Sequence, residues 1–195
     1  MSRIINKLIR KISGSELAQK QNASIIKNGK PNEKIIPFLR QAAADGCVLL
    51  KNNGALPIND EDNVALFGRV QNDSFFVGNG SGGDVCAPYK ISFADGIEKN
   101  GKIHINEDLR KIYNEWCGKR KNIPDPGFWG HWPRFYPEMP LKDNIVKSAS
   151  EKSNKAVVFI GRSAGEDREN VLEKGSYYLT SREKEMLDLV TAHFD

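Results

Sequence analysis

The sequence has few residues that bind metals or form disulfides. Of its 195 residues, three are cysteines and three are histidines. Cys47, Cys86 and Cys117 are widely spaced and include no Cys-x-x-Cys pair, which argues against a disulfide framework and a zinc site. The histidines also lack the spacing of zinc ligands. We therefore expect no metal and no cofactor, and we predict that Cys47 is a small buried hydrophobic residue.

Long apolar runs are also absent, which excludes a membrane-spanning helix. The start, MSRIINKLIRKISG, lacks the apolar core and cleavage site of a signal peptide, so we expect a cytoplasmic protein. The net charge of +4 is concentrated in the first forty residues and around 119–121, without the pattern of a nucleic-acid motif. Nucleic-acid and membrane partners are therefore not expected.

Residues 1–32 differ in pattern from the rest of the chain. Ile4, Ile5, Leu8 and Ile12 have helical spacing with basic residues between them, which predicts an amphipathic helix followed by a polar linker. A basic amphipathic helix can lie on a membrane surface or dock against another domain, and we favour docking. Residues 33–195 are predicted to form one α/β domain.

Three apolar runs in residues 33–195 predict strands. They are Val48–Lys51, which follows a predicted helix over 33–45 with a left-handed cap at Gly46, then Val64–Phe67, and finally Val157–Ile160. The last run is short and uninterrupted, as in a strand of a parallel sheet that is covered on both faces. The pattern predicts a mainly parallel sheet.

The loop after the last of these strands carries Arg162, Glu166, Asp167 and Arg168. In open α/β sheets, loops that leave the carboxyl ends of strands line the ligand crevice. This position predicts a functional loop, although a charged loop can also be simply solvated.

A glycine-rich segment, residues 78–83, suggests a phosphate-binding loop. A dinucleotide motif would follow its strand at once, whereas nine residues separate Gly68 from Gly78, and no Gly-Lys-Ser or Gly-Lys-Thr occurs. We therefore disfavour nucleotide binding but retain it as an alternative.

Residues 103–141 are rich in aromatic residues and proline, and are predicted to form a long structured loop inserted in the domain. Trp129 and Trp132 lie in it. Their rings could stack on a flat ligand, or they could fill a domain interface, which we favour.

Several segments together resemble glycoside hydrolase family 3. GRSAGED, followed by GSYYLT, resembles the acid/base loop of that family. AAADGCVLLKNNGALPI, VALFGRVQNDSFFVGNGSGGDV and ISFADGIEKNG precede it in the family's order and cover 42–58, 64–85 and 91–101. The resemblance extends over most of residues 35–195.

This resemblance implies a three-layer α/β/α sandwich and a retaining β-glucosidase that acts on β-glucosides or oligosaccharides. Glu166 would be the acid/base, with a pKa raised while it holds its proton, and Asp167 is the rival candidate. Ser81 would contact the glycosyl residue. The resemblance also implies that Arg162, Asp167 and Arg168 bind substrate or tune Glu166, and that Trp129 and Trp132 could stack on the pyranose ring of the leaving group. The extra Gly-Tyr of some relatives is missing after the Gly-Glu pair.

The family's nucleophilic aspartate comes from a (β/α)8 barrel that this sequence does not contain. The resemblance therefore implies the N-terminal part of a domain-permuted member, with the barrel as its partner in the same polypeptide. The sheet would be incomplete at its C-terminal end, which would leave a strand edge or an apolar patch uncovered. A sugar-binding or interaction module that has lost catalysis is the alternative.

Overall fold

The computed structural model describes residues 35–75, 80, 89–125, 127, 131–166 and 168–194. The predicted N-terminal helix and linker, residues 1–32, lie outside them. In chain order the elements are α1 (Ile35–Asp45), β1 (Asn63–Phe67), α2 (Phe93–Asn100), β2 (His104–Ile105), α3 (Glu107–Gly118), α4 (Asp143–Ser150), β3 (Lys155–Val158) and α5 (Ser181–His193). Short 3-10 helices cover Arg69–Gln71 and Arg120–Asn122.

The described strands form one parallel sheet in the order β2-β1-β3. Val64 of β1 lies between Ile105 of β2 and Lys155 of β3, and Phe67 is opposite Val158. The predicted parallel sheet is confirmed, with the last strand starting two residues earlier than its apolar run. Because all three strands run the same way, the loops after β1 and β3 leave the same edge of the sheet.

Both faces of β1 are buried against helices, as its alternating side chains require. Ala65 and Phe67 pack with residues of α3, α4 and α5, namely Leu109, Tyr113, Val146, Ala149, Met186 and Val190. Val64 and Leu66 pack on the other face with Ala94 and Ile97 of α2 and with Ile105. Burying each large apolar side chain contributes roughly 1.5–3 kcal/mol. The predicted three-layer sandwich is therefore confirmed, with β1 as its central strand.

Helix α2 has clear start and stop signals in the sequence. The Ser92 hydroxyl accepts from the Asp95 amide, and the Asp95 carboxylate accepts from the Ser92 amide, which forms a capping box. The helix ends at Gly101, which has a left-handed backbone with φ of 69°. Helix α2 lies within the segment 91–101 that carries part of the family resemblance.

The strand predicted at Val48–Lys51 is wrong. These residues follow α1 without strand pairing, and Leu50 is 92% exposed. The predicted burial of Cys47 is also wrong, because this residue is exposed and its thiol donates to the Ala43 carbonyl. Gly46 does not adopt the predicted left-handed conformation. An apolar run forms a strand only where a neighbouring strand accepts its hydrogen bonds, and the described residues offer none here.

The prediction of one long loop over 103–141 is also wrong. Its first half contains β2 and α3, in which Leu109 and Tyr113 recur at helical spacing and face the core. After the 3-10 helix at Arg120–Asn122, the described residues up to 141 form no helix or strand. No helix among the described residues is long and apolar enough to cross a membrane.

Candidate active site

The carboxyl ends of β1 and β3 meet in very close contact. The Phe159 amide donates to the Phe67 carbonyl at 2.9 Å and continues the ladder past β3. Gly68 follows with φ of 97°, and a Cβ at this position would overlap the Phe159 carbonyl group. Glycine is therefore required where β1 leaves the sheet, which fixes the origin of both functional loops.

Glu166 lies in a tight turn after β3. The Arg168 amide donates to the Gly165 carbonyl at 3.0 Å, and this closes the turn around Glu166. The Glu166 side chain is exposed, as a group that acts on a substrate requires. Asp167, the rival acid/base candidate, lies outside the described residues.

The glycine-rich segment reaches Glu166 at Gly80. A Cβ on Gly80 would overlap the Glu166 Cβ and would lie 2.8 Å from Oε2. Gly80 is buried, and its φ of 110° belongs to the region that favours glycine. The structure thus brings together two segments that the sequence separates by more than eighty residues. Ser81, the next residue, lies outside the described residues.

Arg162 is held by the first turn of α5. Its two terminal nitrogens donate to the Glu183 carboxylate at 2.6 and 2.8 Å, and its Nε donates to the Ser176 carbonyl at 2.8 Å. Burial opposes ionisation of Glu183, but hydrogen bonds from Arg162 and from the Thr180 amide outweigh it and lower the pKa of Glu183. This pair connects the start of the Glu166 loop to α5. A direct role of Arg162 toward substrate stays a prediction.

Three polar contacts connect the Glu166 loop to residues 131–137, the aromatic segment. Arg168 Nε donates to the Trp132 carbonyl at 2.7 Å, and the Ser163 amide donates to the Arg134 carbonyl at 2.7 Å. Arg134 Nε donates in turn to the Glu169 carbonyl at 3.3 Å. Trp132 therefore meets the functional loop through its backbone, and Trp129 lies outside the described residues.

A buried carboxylate, Glu138, stabilises the turn after β1. Its Oε2 accepts from the Arg69 amide at 2.8 Å and its Oε1 accepts from the Met139 amide at 2.7 Å. Burial raises the pKa of Glu138, although these two hydrogen bonds oppose the rise. Sequence reasoning missed this residue because nothing in the run Pro137 to Pro140 distinguishes a buried glutamate from an exposed one.

Arg69 is also buried and has an almost complete set of partners. It donates to the Asp73 carboxylate at 2.6 Å and to the carbonyls of Pro137 and Asn122, each at 2.7 Å. Its guanidinium lies over the Trp116 ring, 4.9 Å from the centroid. Arg69 therefore anchors the aromatic segment to the end of β1.

The geometry after β1 differs from that of a dinucleotide-binding loop. The strand runs into a 3-10 helix at Arg69–Gln71, and no long helix starts there. Nothing in the described part of the chain groups three or more potential metal ligands. The arrangement instead presents the exposed carboxyl group of Glu166 on a turn that is fixed on several sides.

Comparison with known proteins identifies relatives of this arrangement. Residues 47–195 match the glycosyl hydrolase family 3 C-terminal domain. A β-glucosidase of Ruminococcus albus is 40% identical over 160 residues, which are 80% of this chain and 17% of that protein. β-Glucosidase A of Butyrivibrio fibrisolvens is 29% identical over 187 residues, 84% of this chain and 22% of that protein. The chain thus spans about a fifth of the length of these relatives.

Solved structures give the same result. A β-glucosidase from Paenibacillus barengoltzii superposes with a TM-score of 0.80 at 45% identity, over 85% of this chain and 18% of that one. β-Glucosidase 3B from Thermotoga neapolitana, solved in complex with α-D-glucose, superposes with a TM-score of 0.71 at 30% identity, over 85% of this chain and 23% of that one.

Proposed function

The chain belongs to glycosyl hydrolase family 3, and we propose that it supplies the acid/base half of the active site of a retaining β-glucosidase. The relatives named above are β-glucosidases, and two of them share 40% and 45% of their aligned residues with this chain. The substrate would be a β-glucoside or a glucose-containing oligosaccharide. The nucleophilic aspartate would come from a (β/α)8 barrel in the same polypeptide.

The contact between Gly80 and Glu166 is the observation that supports this proposal most directly. Gly80 belongs to the segment that we expect to contact the glycosyl residue, and it lies against Glu166, the residue that we expect to transfer the proton. Retaining glycoside hydrolysis uses two carboxyl groups beside the glycosyl site, and Glu166 would be one of them.

The proposed reaction proceeds in two steps. First, the carboxyl group of Glu166 donates its proton to the departing glycosidic oxygen while the barrel aspartate forms a bond to the anomeric carbon. Then the ionised Glu166 takes a proton from a water molecule, whose oxygen attacks the anomeric carbon and releases the aspartate. A retaining enzyme holds its two carboxyl groups about 5–5.5 Å apart, so the position of Glu166 must be fixed closely.

Several contacts described above restrict the movement of the Glu166 turn. Arg162 fixes the start of the loop through Glu183, and Arg168 fixes its end through the Trp132 carbonyl. We assign these two arginines a positioning role in the proposed enzyme. Ser81, Asp167, Trp129 and Trp132 stay predicted substrate-binding residues, and Arg162 and Arg168 keep that prediction beside their positioning role.

A Glu166→Gln variant tests the acid/base role in the polypeptide that contains both this domain and the barrel. Loss of a general acid/base lowers the rate about 10²–10⁴-fold. The loss should be largest for substrates with poor leaving groups, which need protonation, and smaller for 2,4-dinitrophenyl β-glucoside. Azide should restore turnover of that substrate and yield β-glucosyl azide, because an anion needs no general base to attack the intermediate.

Glu169→Gln is the matched control, since Glu169 is an exposed carboxyl group three positions away on the same loop. An unchanged rate in Glu166→Gln would overturn the assignment. Activity of this chain without the barrel would contradict the divided active site. If Glu166→Gln binds glucose and the wild-type protein hydrolyses no glucoside, the sugar-binding alternative replaces the enzyme.

A further inference from the structure

A cavity of about 780 Å3 lies beside the Glu166 loop. Its wall comes from Trp116 of α3, from residues 133–137 of the aromatic segment, from Arg168, and from residues 173–176. Pockets of 300–1,000 Å3 hold small organic ligands. The cavity is therefore large enough for a ligand, and the acid/base role of Glu166 does not account for it.

The aromatic rings of the cavity are fixed before any ligand binds. Arg69 covers the Trp116 ring, and Phe75 stacks on Tyr136 with ring centroids 4.2 Å apart. The Phe135 ring packs so closely on Gly175 that a Cβ there would overlap it. Because these contacts already order the rings, little further ordering is needed when a ligand binds against them.

The charge of the cavity wall is positive. Lys121, Arg134, Arg168 and Lys174 line it, against two acidic residues, Asp125 and Glu173. Arg69 also borders the cavity, but Asp73 balances its charge. A cavity with a net positive wall favours an anionic ligand, and guanidinium groups match the two oxygens of a carboxylate.

We propose that this cavity binds an aromatic carboxylate. The planar ring of the ligand would pack on the aromatic wall, and its carboxylate would meet the arginine and lysine side chains. A ring without a carboxylate would leave the excess positive charge of the wall unbalanced, and an aliphatic acid would lose the aromatic contact. Both halves of the ligand are therefore needed.

The ligand has two possible sources. Arg168 lines the cavity and is two residues from Glu166, so the aromatic acid could be the leaving group of a glucoside, which rests on the proposed function. Alternatively, a free aromatic acid could bind the same cavity without being part of the substrate. The chemistry of recognition is the same in both cases.

Calorimetry with 4-hydroxycinnamate tests the site in this chain. We expect saturable one-to-one binding, with at least tenfold weaker binding of 4-hydroxycinnamyl alcohol and of acetate. Lys174→Gln and Arg168→Gln should each weaken binding of the acid about tenfold, whereas Lys147→Gln, an exposed lysine of α4, should leave it unchanged. Lys174 is exposed, so its substitution preserves the fold.

Equal binding of acid and alcohol, or equal affinity in Lys174→Gln and wild-type protein, would overturn the proposal. Rates of glucoside hydrolysis by the barrel-containing polypeptide then show whether the aromatic acid is the leaving group of a glucoside or a free ligand. If the acid is a leaving group, Lys174→Gln lowers kcat/KM for the 4-O-β-glucoside of 4-hydroxycinnamate at least tenfold more than it lowers kcat/KM for 4-nitrophenyl β-glucoside. If the acid binds free, it alters hydrolysis of both glucosides equally. Binding without hydrolysis of any glucoside refutes the proposed enzyme and leaves this site standing.

Discussion

Arg162 and Glu183, 21 residues apart in the chain, form a two-point ion pair that links the loop after β3 to the first turn of α5. The same Glu183 carboxylate also accepts from the Thr180 amide at 2.7 Å and completes the capping box of α5. One buried side chain therefore stabilises both a helix end and the loop that carries Glu166.

Glu183→Gln should destabilise the domain by about 3–5 kcal/mol, because it leaves the Arg162 charge half-buried without its partner. The measurement is urea unfolding at neutral pH. Glu185→Gln is the matched control, since Glu185 pairs with Arg182 on the exposed face of the same helix and an exposed pair contributes about 0–1 kcal/mol. Equal losses of unfolding free energy in Glu183→Gln and Glu185→Gln would show that burial does not increase the contribution of the Arg162–Glu183 pair.

The same pair gives a pH dependence of stability. The folded-state pKa of Glu183 is lowered, so its contribution is complete above the unfolded pKa of about 4.3 and is lost as the pH falls through the folded value. The difference in unfolding free energy between wild type and Glu183→Gln should therefore shrink below about pH 4. A difference that stays constant from pH 7 to pH 3 would rule this out.

Glu138 should behave in the opposite sense. Burial raises its folded-state pKa, so the stability that it contributes is complete below the unfolded pKa and declines as the pH rises through the folded value. Glu138→Gln should still destabilise at neutral pH by about 1–3 kcal/mol, because a single amide oxygen cannot accept from both the Arg69 and Met139 amides. The unfolding free energies of the wild-type protein and of Glu138→Gln, measured at several pH values, test both the size of the loss and its dependence on pH.

Gly80→Ala should lower the activity of the barrel-containing enzyme about tenfold or more while the domain stays folded. The added methyl group would overlap Glu166 and displace its carboxyl group from the reacting oxygen. Gly118→Ala, at the end of α3 with open space around it, is the control and should leave activity unchanged. Activity is measured with an aryl β-glucoside, and full activity of Gly80→Ala would show that the two segments separate during catalysis.

The uncovered apolar surface of α1 and the segment after it should cause self-association. None of the residues of α1 is buried, and Phe38 is 69% exposed. Leu49 and Leu50, which follow the helix, are also exposed to solvent. The double substitution Leu49→Ser and Leu50→Ser should shift this chain toward the monomer in sedimentation velocity experiments. Its melting temperature should change little, since no core contact is lost. Ile97→Ser, at a partly buried position of α2 that packs against the core, would instead lower the melting temperature.

The elements that the sequence predicts well are those set by local signals. The apolar run of β1 ends at Gly68, and Ser92 and Gly101 mark the limits of α2. The position of Glu166 at the carboxyl edge also follows from an apolar strand and a resemblance in the loop after it. Each of these signals lies within a few residues of the feature that it predicts.

The features that escaped prediction depend on distant residues. The partner of Arg162 lies in another helix, and the burial of Glu138 depends on amides at the end of β1. The run at 48–51 has the composition of a strand, but no strand among the described residues pairs with it. Its residues are exposed. The helical spacing of Leu109 and Tyr113 was obscured by the density of aromatic residues that follows α3.

The shared use of Glu183 has a consequence for how the domain would lose activity on heating. The first turn of a helix frays at a lower free energy than the core unfolds, and here that turn holds the guanidinium that fixes the Glu166 loop. Fraying of this turn would release the Glu166 loop and lower the activity of the proposed enzyme while the three-layer core is still folded. The temperature range of activity would then depend on a helix cap as well as on the stability of the core.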